Sequence, residues 1–270
     1  MTVDTWKHMP VEDEFARAMA RVDVLGPLLI NGSVETVLSP MAARLLALLA
    51  LNADVYLTNG RLRQGLWGDD PPRSASSTLQ TYVCLIRRRL AALTNMSAER
   101  VSQEVLVTQG DAYALRTTWV TVDAVEAARL RHSGLAALQR GETEAAAEHL
   151  RASAGLRRAH PCTALGESLE HAPFVMALEE SHLCTLQHLY EAEISLGRHR
   201  QVLPELSATS ARHPYHEDLS HLLALGLYRS GRRQEALRTI ADMRKRLTEE
   251  LGLDLGSRLA SLRQQILMGQ

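Results

Sequence analysis

The sequence predicts a mainly α-helical protein whose N-terminal part combines helices with short strands. Strand-like patterns flank three segments of helical periodicity between about residues 21 and 115. After about residue 120 the strand patterns end, and a helix–glycine–helix signature recurs. The composition agrees with this division, because 46% of the 270 residues are apolar and only 4% are aromatic, which is typical of helices that pack through Leu, Ala and Val.

Short strands are predicted between residues 21 and 38. Apolar runs lie on both sides of Asn31 and Gly32, and an Asn-Gly pair between such runs favours a tight hairpin turn. The preceding residues 1–20 are polar and acidic, so we expect them to form a flexible N-terminal extension.

The next two helices carry clear start signals. Ser39 followed by Pro40 provides an N-cap and a first-turn proline, which predicts a helix from that point. Thr58 can cap a second helix that ends at Trp67. A Gly-Asp-Asp-Pro-Pro stretch then holds the chain extended, because proline cannot continue a helix.

A third helix over residues 74–90 is followed by a hairpin. Apolar residues at 105–107 and 113–115 flank a Gln-Gly-Asp turn, which predicts two antiparallel strands. Three short helices closed by a hairpin, or wing, form a winged helix-turn-helix, a fold that lays its third helix along a DNA groove. The sequence therefore predicts this α+β domain over residues 21–118.

The remaining residues 122–270 predict an all-α domain of tetratricopeptide-like helical repeats. In three segments a helix ends at a glycine, a polar turn follows, and apolar residues occupy the fifth, sixth and ninth positions after the glycine. The glycines are Gly141, Gly197 and Gly231. The last two are 34 residues apart, which is the period of tetratricopeptide helix pairs.

The third helix carries the candidate DNA-binding site. The chain has a net charge of −1, but residues 61–89 hold six arginines against two aspartates, so the positive charge is local. At 100° per residue, Leu79 and Val83 fall on the apolar side, and hydroxyl and guanidinium groups fall elsewhere. We predict DNA contacts from Arg73, Ser74, Ser77, Thr78, Thr81, Tyr82, Arg87, Arg88 and, in the wing turn, Gln109.

The chemistry of these side chains suggests their roles. The serine and threonine hydroxyls can meet phosphates or base edges, and Tyr82 and Arg73 suit backbone phosphates. Arg87 and Arg88 can reach a phosphate or a guanine edge. A simpler interpretation of the arginines at 87–89 is a solvated helix end that the helix dipole stabilises. The capped helices before this run and the hairpin after it favour DNA binding.

Other functional classes lack support in the sequence. No phosphate-binding glycine loop, paired carboxylates or nucleophile–base set occurs, so we expect no enzymatic activity and no cofactor. His213, His216 and His221 do not have the spacing of a metal site. The first residues lack a signal peptide, no apolar stretch could span a bilayer, and the three cysteines form no CxxC pair. We therefore expect a cytoplasmic, nucleoid-associated protein without a membrane partner.

Two stretches resemble a known family of regulators. LWGDDPPRSASSTLQTYVCLIRRRL, followed by VLVTQGDAYALR, is similar to the OmpR-type DNA-binding domain of the Streptomyces antibiotic regulatory protein family. From Val122 onward the chain resembles the bacterial transcriptional activator domain that follows it in that family. The resemblance implies a transcriptional activator that binds direct repeats of double-stranded DNA upstream of antibiotic biosynthetic gene clusters as a head-to-tail pair. It also implies contacts with RNA polymerase, including its sigma factor.

The chain departs from the family pattern at cationic positions. Ser76 and Ser77 stand where the family usually has Arg-Asn, Cys84 and Leu85 replace Ser-Arg, and the wing offers Gln109 where a basic residue is common. Two alternatives therefore stay open. In one, the protein is a helical-repeat adaptor whose winged helix docks on another protein. In the other, it is a ligand-sensing regulator with weakened DNA binding.

We expect weaker and less salt-dependent DNA binding than in family members that keep these cations. Each phosphate contact adds about one unit to the slope of log K against log salt, and about three such contacts are missing. Titration of a promoter duplex at rising salt, beside a family member with the full set of arginines, measures both slopes. Equal slopes would contradict this expectation.

Overall fold

The structure, a computed structural model, describes residues 20–31, 33–34, 38–160, 162–165 and 171–269. The chain divides into two units. The N-terminal unit comprises Met1–Arg129 and Gly155–Glu180, and the helical unit comprises Leu130–Ala154 and Ser181–Gln270. The predicted extension over residues 1–20 lies outside the described residues, apart from Ala20, which begins the first strand.

Short strands and helices alternate from Ala20 to Val122. In chain order they are β1 (Ala20–Asp23), β2 (Leu29–Ile30), β3 (Ser33–Val34), α1 (Pro40–Leu51), β4 (Leu57–Thr58), α2 (Asn59–Trp67), α3 (Ala75–Thr94), α4 (Ala98–Glu104), β5 (Leu106–Gln109), β6 (Ala112–Leu115) and β7 (Val120–Val122). These strands form one sheet in the order β3-β2-β1-β7 and a second in the order β4-β6-β5. β1 pairs in parallel with β7, and the other pairs are antiparallel.

The first two helices begin where the sequence predicts. The Ser39 side chain accepts a hydrogen bond from the Ala42 N–H at 3.3 Å, and the Thr58 side chain accepts one from the Arg61 N–H at 3.4 Å. Each cap satisfies a backbone donor that a helix start leaves without an intrahelical partner. α2 ends at Trp67, as predicted.

The third helix is longer than predicted. It continues past residue 90 to Thr94, whose buried hydroxyl donates to the Leu90 carbonyl at 2.8 Å. Asn95 then ends the helix in the left-handed conformation, with φ of 54°. Asparagine is among the few residues other than glycine that tolerate this conformation at a helix end.

Three elements escaped the sequence prediction, which expected three helices and no strand after the wing. α4 is capped by Ser97, and Val101 is its buried residue, so its seven residues show no apolar periodicity. β4 has two residues, too few for a pattern. β7 aligns Val120 with Ala20, a pairing across about 100 residues that no local signal reports.

The wing is the hairpin of β5 and β6, as predicted. Gln109 pairs with Ala112, so Gly110 and Asp111 alone form the turn and Gln109 ends the strand. Gly110 has φ of +59°, a conformation that glycine adopts without steric cost.

An aliphatic core holds the N-terminal unit together. α1 is buried on most sides and packs against α3, whose inward residues are at most 2% exposed: Leu79, Val83, Ile86 and Leu90. The sequence predicted this inward side correctly. Cys162 and Leu165 also belong to this core, although the sequence analysis placed them within the helical half. Their apolar side chains and a hydrogen bond from the Cys162 N–H to the Val24 carbonyl, 2.8 Å long, hold them there.

The rest of the chain is helical among the residues described. The elements are α5 (Asp123–Gln139), α6 (Thr143–Gly155), a 3-10 turn (Thr163–Leu165), α7 (Ala172–Ser195), α8 (His199–Arg212), α9 (Glu217–Arg229), α10 (Arg233–Arg246), a π-helical turn (Leu247–Leu251) and α11 (Ser257–Met268). None of the helices described has the length and apolar character that crossing a bilayer requires.

The recurring glycine signature ends three helices in the same way. Gly141, Gly197 and Gly231 have φ of 77°, 77° and 81°. In each case the next residue donates its N–H to the carbonyl five residues earlier, at 2.9 Å, which is the hydrogen bond of a Schellman motif. The apolar residues that follow are buried or, at Leu237, half-buried, and Leu150, Leu206 and Ile240 are fully buried at equivalent positions. The predicted helical repeats are therefore confirmed.

Asp123 ties the end of β1 to the start of α5. Its side chain is 1% exposed and accepts the N–H groups of Val24, Leu25 and Ala124 at 2.7–2.8 Å. Burial raises the pKa of the Asp123 carboxyl, against the opposing effect of these hydrogen bonds.

We expect Asp123→Ala to lower the free energy of unfolding of the N-terminal unit by about 3 kcal/mol or more, because it leaves three buried N–H groups without an acceptor. Asp70→Ala, at an exposed position, is the control and should change stability by no more than about 0.5 kcal/mol. Urea unfolding of both variants measures the difference. Similar losses in the two variants would show that Asp123 does not anchor the strand.

Candidate nucleic-acid interface

One side of α3 is exposed along most of its length. The residues on it recur every three or four positions, with Cys84 and Leu85 side by side, and form what we call the α3 stripe: Ser77, Thr81, Cys84, Leu85 and Arg88. It lies opposite the buried side of the helix, so packing of the core determines which groups face solvent. Of the predicted site residues, the structure brings Ser77, Thr81 and Arg88 together on this stripe.

The hydroxyl groups at the start of α3 are partly engaged with each other and with the helix. Ser77 Oγ donates to the Ser74 carbonyl at 2.9 Å, and Thr81 Oγ1 donates to the Ser77 carbonyl at 3.0 Å. Thr78 is half-buried, and its hydroxyl donates to Ser74 Oγ at 3.3 Å. Because the protons of Ser77 and Thr81 are used within the helix, these two hydroxyls present lone pairs outward. They therefore suit base amino groups better than phosphates.

Arg73 and Ser74 precede the helix and are both exposed. Among the residues described, the Arg73 side chain forms no hydrogen bond or ion pair, so its guanidinium can reach a phosphate. Tyr82 is placed differently from the expected phosphate contact. Its ring is half-buried and stacks on Trp67, with the ring centroids 6.5 Å apart and the planes 24° apart. Tyr82 thus packs α3 against α2, and its phosphate contact stays a prediction.

Arg87 is directed at the wing. Its Nε and Nη2 groups donate to the Leu106 carbonyl at 2.9 and 2.7 Å, and Nη2 also donates to Thr108 Oγ1 at 2.6 Å. The guanidinium carbon lies 6.0 Å from the centroid of the Tyr113 ring, within the range of a cation–π interaction. Partial burial lowers the pKa of Arg87, and arginine still stays protonated at neutral pH.

This arrangement differs from the role that the sequence suggested for Arg87. The Nε and Nη2 donors of Arg87 are used by β5, so the structure shows a tie between α3 and the wing. A direct DNA contact by Arg87 stays a prediction. Thr108, which the sequence analysis missed, completes the tie from 21 residues away, a distance at which helical periodicity carries no signal.

Arg88 and Gln109 keep the exposure that their predicted roles require. Arg88 lies on the α3 stripe and forms no hydrogen bond or ion pair with the residues described. Gln109 is exposed at the end of β5, beside the wing turn. The site as a whole combines a helix with outward acceptors, the guanidinium groups of Arg73 and Arg88, which have no partner among the described residues, and a wing tip. This arrangement is suited to contact a duplex along one face.

Comparisons with known proteins agree with this geometry. The family model for the bacterial transcriptional activator domain matches residues 122–267, and the model for the transcriptional regulatory protein C-terminal domain matches residues 33–107. Regulatory protein DnrI from Streptomyces peucetius is 35% identical over 249 residues, which are 92% of this chain and 92% of DnrI.

Two longer proteins are also similar. Regulatory protein AfsR from Streptomyces coelicolor is 35% identical over 266 residues, which are 96% of this chain but 25% of AfsR. Among solved structures, Mycobacterium tuberculosis EmbR in complex with a low-affinity phosphopeptide superposes with a TM-score of 0.83 at 29% identity. That match covers 93% of this chain and 66% of EmbR.

The winged helix with its exposed stripe, joined to helical repeats, defines a DNA-binding regulator of transcription. The matches identify the family within that class. The chain belongs to the Streptomyces antibiotic regulatory protein family of transcriptional activators.

We expect replacement of Arg87 to lower the stability of the free protein and replacement of Arg88 to leave that stability nearly unchanged. Arg87→Ala removes hydrogen bonds to the Leu106 carbonyl and Thr108, so it should lower stability by about 1–2 kcal/mol and speed hydrogen exchange of the wing amides. Arg88→Ala should change stability by less than about 0.5 kcal/mol. Thermal unfolding measures the stability of both variants, and amide hydrogen exchange measures the protection of the wing. Unchanged exchange in the wing of Arg87→Ala would disprove the tie.

Proposed function

We propose that this protein activates transcription of a secondary-metabolite (antibiotic) biosynthetic gene cluster by binding direct repeats in promoter DNA and recruiting RNA polymerase. The observation that carries the proposal is the α3 stripe, which presents polar groups and Arg88 to solvent beside a wing that Arg87 holds. Membership of the family supports the regulatory role. In this proposal the protein acts by binding and catalyses no reaction. It acts in the cytoplasm, where the chromosome lies.

The docking geometry follows from the dimensions of the helix and the groove. α3 has 20 residues and is therefore about 30 Å long, whereas the major groove is about 12 Å wide. The stripe from Ser77 to Arg88 enters the groove with its acceptors towards base edges. Arg73 and Ser74 meet phosphates on one side, and Gln109 of the wing meets the backbone on the other. Few cations take part, so the affinity for DNA depends strongly on how well the α3 stripe fits the groove.

Direct repeats require two copies in the same orientation. Such a pair is a head-to-tail homodimer on DNA, with half-sites spaced about one helical turn apart. We propose residues 21–118 as the DNA-binding domain and residues 122–270 as the activator domain, and the matches at 33–107 and 122–267 lie within these bounds. RNA polymerase, including its sigma factor, is the proposed partner of the activator domain.

A groove in the helical unit favours ligand sensing as a second function. It has a volume of about 660 Å³ and is lined by α8, α9 and α10, with Leu203 and Leu227 beside Arg200 and Arg238. This volume lies within the range of small-molecule sites, and the lining is more polar than is usual for them. A metabolite of the regulated cluster that binds here should raise the melting temperature. If no intermediate or product of that cluster raises it, the sensing role is wrong.

A mobility-shift titration tests the DNA-binding role. The wild-type protein should shift the promoter fragment of the adjacent cluster, and scrambling one repeat should weaken the shift. Arg73→Ala with Arg88→Ala should raise the Kd at least about tenfold, because two charged contacts are lost. Arg140→Ala, an exposed arginine of the helical unit paired with Glu142, is the matched control. Equal shifts by the double variant and the control would contradict the proposed site.

A further inference from the structure

We infer that Leu85, together with Thr81, reads an A·T base pair through the 5-methyl group of thymine. This inference rests on the proposed DNA binding and specifies the base chemistry that the α3 stripe recognises.

The outward position of Leu85 is determined by the buried residues next to it on α3. Ile86 is fully buried in the core, and Val83 is 2% exposed, so α3 cannot rotate to bring Leu85 inward. Leu85 is 37% exposed and stands on the stripe one turn after Thr81. An aliphatic side chain in that place offers a major groove only one type of favourable contact, which is with an apolar group. Thymine is the unmodified DNA base that carries one there.

Thr81 selects the partner base. Its hydroxyl proton is donated to the Ser77 carbonyl at 3.0 Å, so the oxygen faces outward as an acceptor. In the major groove, an A·T pair presents the adenine N6 amino donor and, beyond the thymine O4 acceptor, the thymine methyl. The Thr81 oxygen and the Leu85 side chain, adjacent on the stripe, therefore match the two groups of one A·T pair.

Guanine fits this part of the stripe poorly. Its O6 and N7 atoms are acceptors and require a donor, usually arginine. Between Thr81 and Arg88 the stripe holds Cys84 and Leu85, which offer a weak donor and none. A guanine there would lose its hydration without a replacement hydrogen bond.

The test begins with selection of bound duplexes from a pool with about 25 random base pairs, enough for two half-sites one turn apart. Each thymine of the selected half-site is then replaced singly by deoxyuridine, which removes only the methyl group. At one position per half-site the wild-type Kd should rise about fourfold, as expected for one methyl group removed from an apolar contact. Leu85→Ala should bind the two probes equally and keep the wild-type melting temperature, because Leu85 packs little.

A second variant tests whether the side chain at position 85 determines which base is selected. Leu85→Arg should select guanine at the position where the wild type selects thymine. The inference is overturned if the wild type itself selects guanine there, if no deoxyuridine substitution changes its Kd, or if Leu85→Ala keeps the discrimination. Failure of the wild type to bind any duplex would instead refute the proposed DNA binding, and with it this inference.

Discussion

The burial of one side of α3 is the constraint on which the proposed function depends. Leu79, Val83, Ile86 and Leu90 pack into the aliphatic core around α1, and they determine the rotation of the helix about its own axis. A rotation by one residue would expose apolar surface worth about 1.5–3 kcal/mol per side chain, so the opposite stripe faces solvent in a defined register. The groups available to a duplex are thus a consequence of packing.

The wing shares the aliphatic core with this helix and is also hydrogen-bonded to it through Arg87. Arg87 reaches the Leu106 carbonyl and Thr108 Oγ1, so the part of α3 that the sequence suggested would meet DNA also positions β5. Two arginines of the run 87–89 therefore point in different directions: Arg88 faces solvent, and Arg87 reaches the wing. Because few cations lie on the stripe, the proposed recognition relies on acceptors and an apolar group, which favours sequence selection over general affinity for phosphates.

Local chemistry made much of the fold predictable. N-cap residues such as Ser39 indicate where helices start, and glycines such as Gly231 indicate where they end. The 3.6-residue period identifies the buried side of α3. Contacts between distant residues left no such signal. The parallel pairing of β1 with β7, the tie from Arg87 to Thr108 and the packing of Cys162 in the N-terminal core all join segments far apart in the chain. The outward side of α3 was predictable from the helical period, and the hydrogen bonds that direct each side chain on it were not.

Alkylation of Cys84 tests the central claim most directly, because this thiol lies exposed on the stripe. Cys162 is buried, and burial raises the pKa of its thiol to about 12, so it reacts slowly with iodoacetamide. Cys184 in α7 serves as an internal reference. A saturating specific duplex should slow the alkylation of Cys84 in proportion to the bound fraction and leave Cys184 unchanged. An unchanged Cys84 rate in the fully bound complex would show that α3 does not face the DNA.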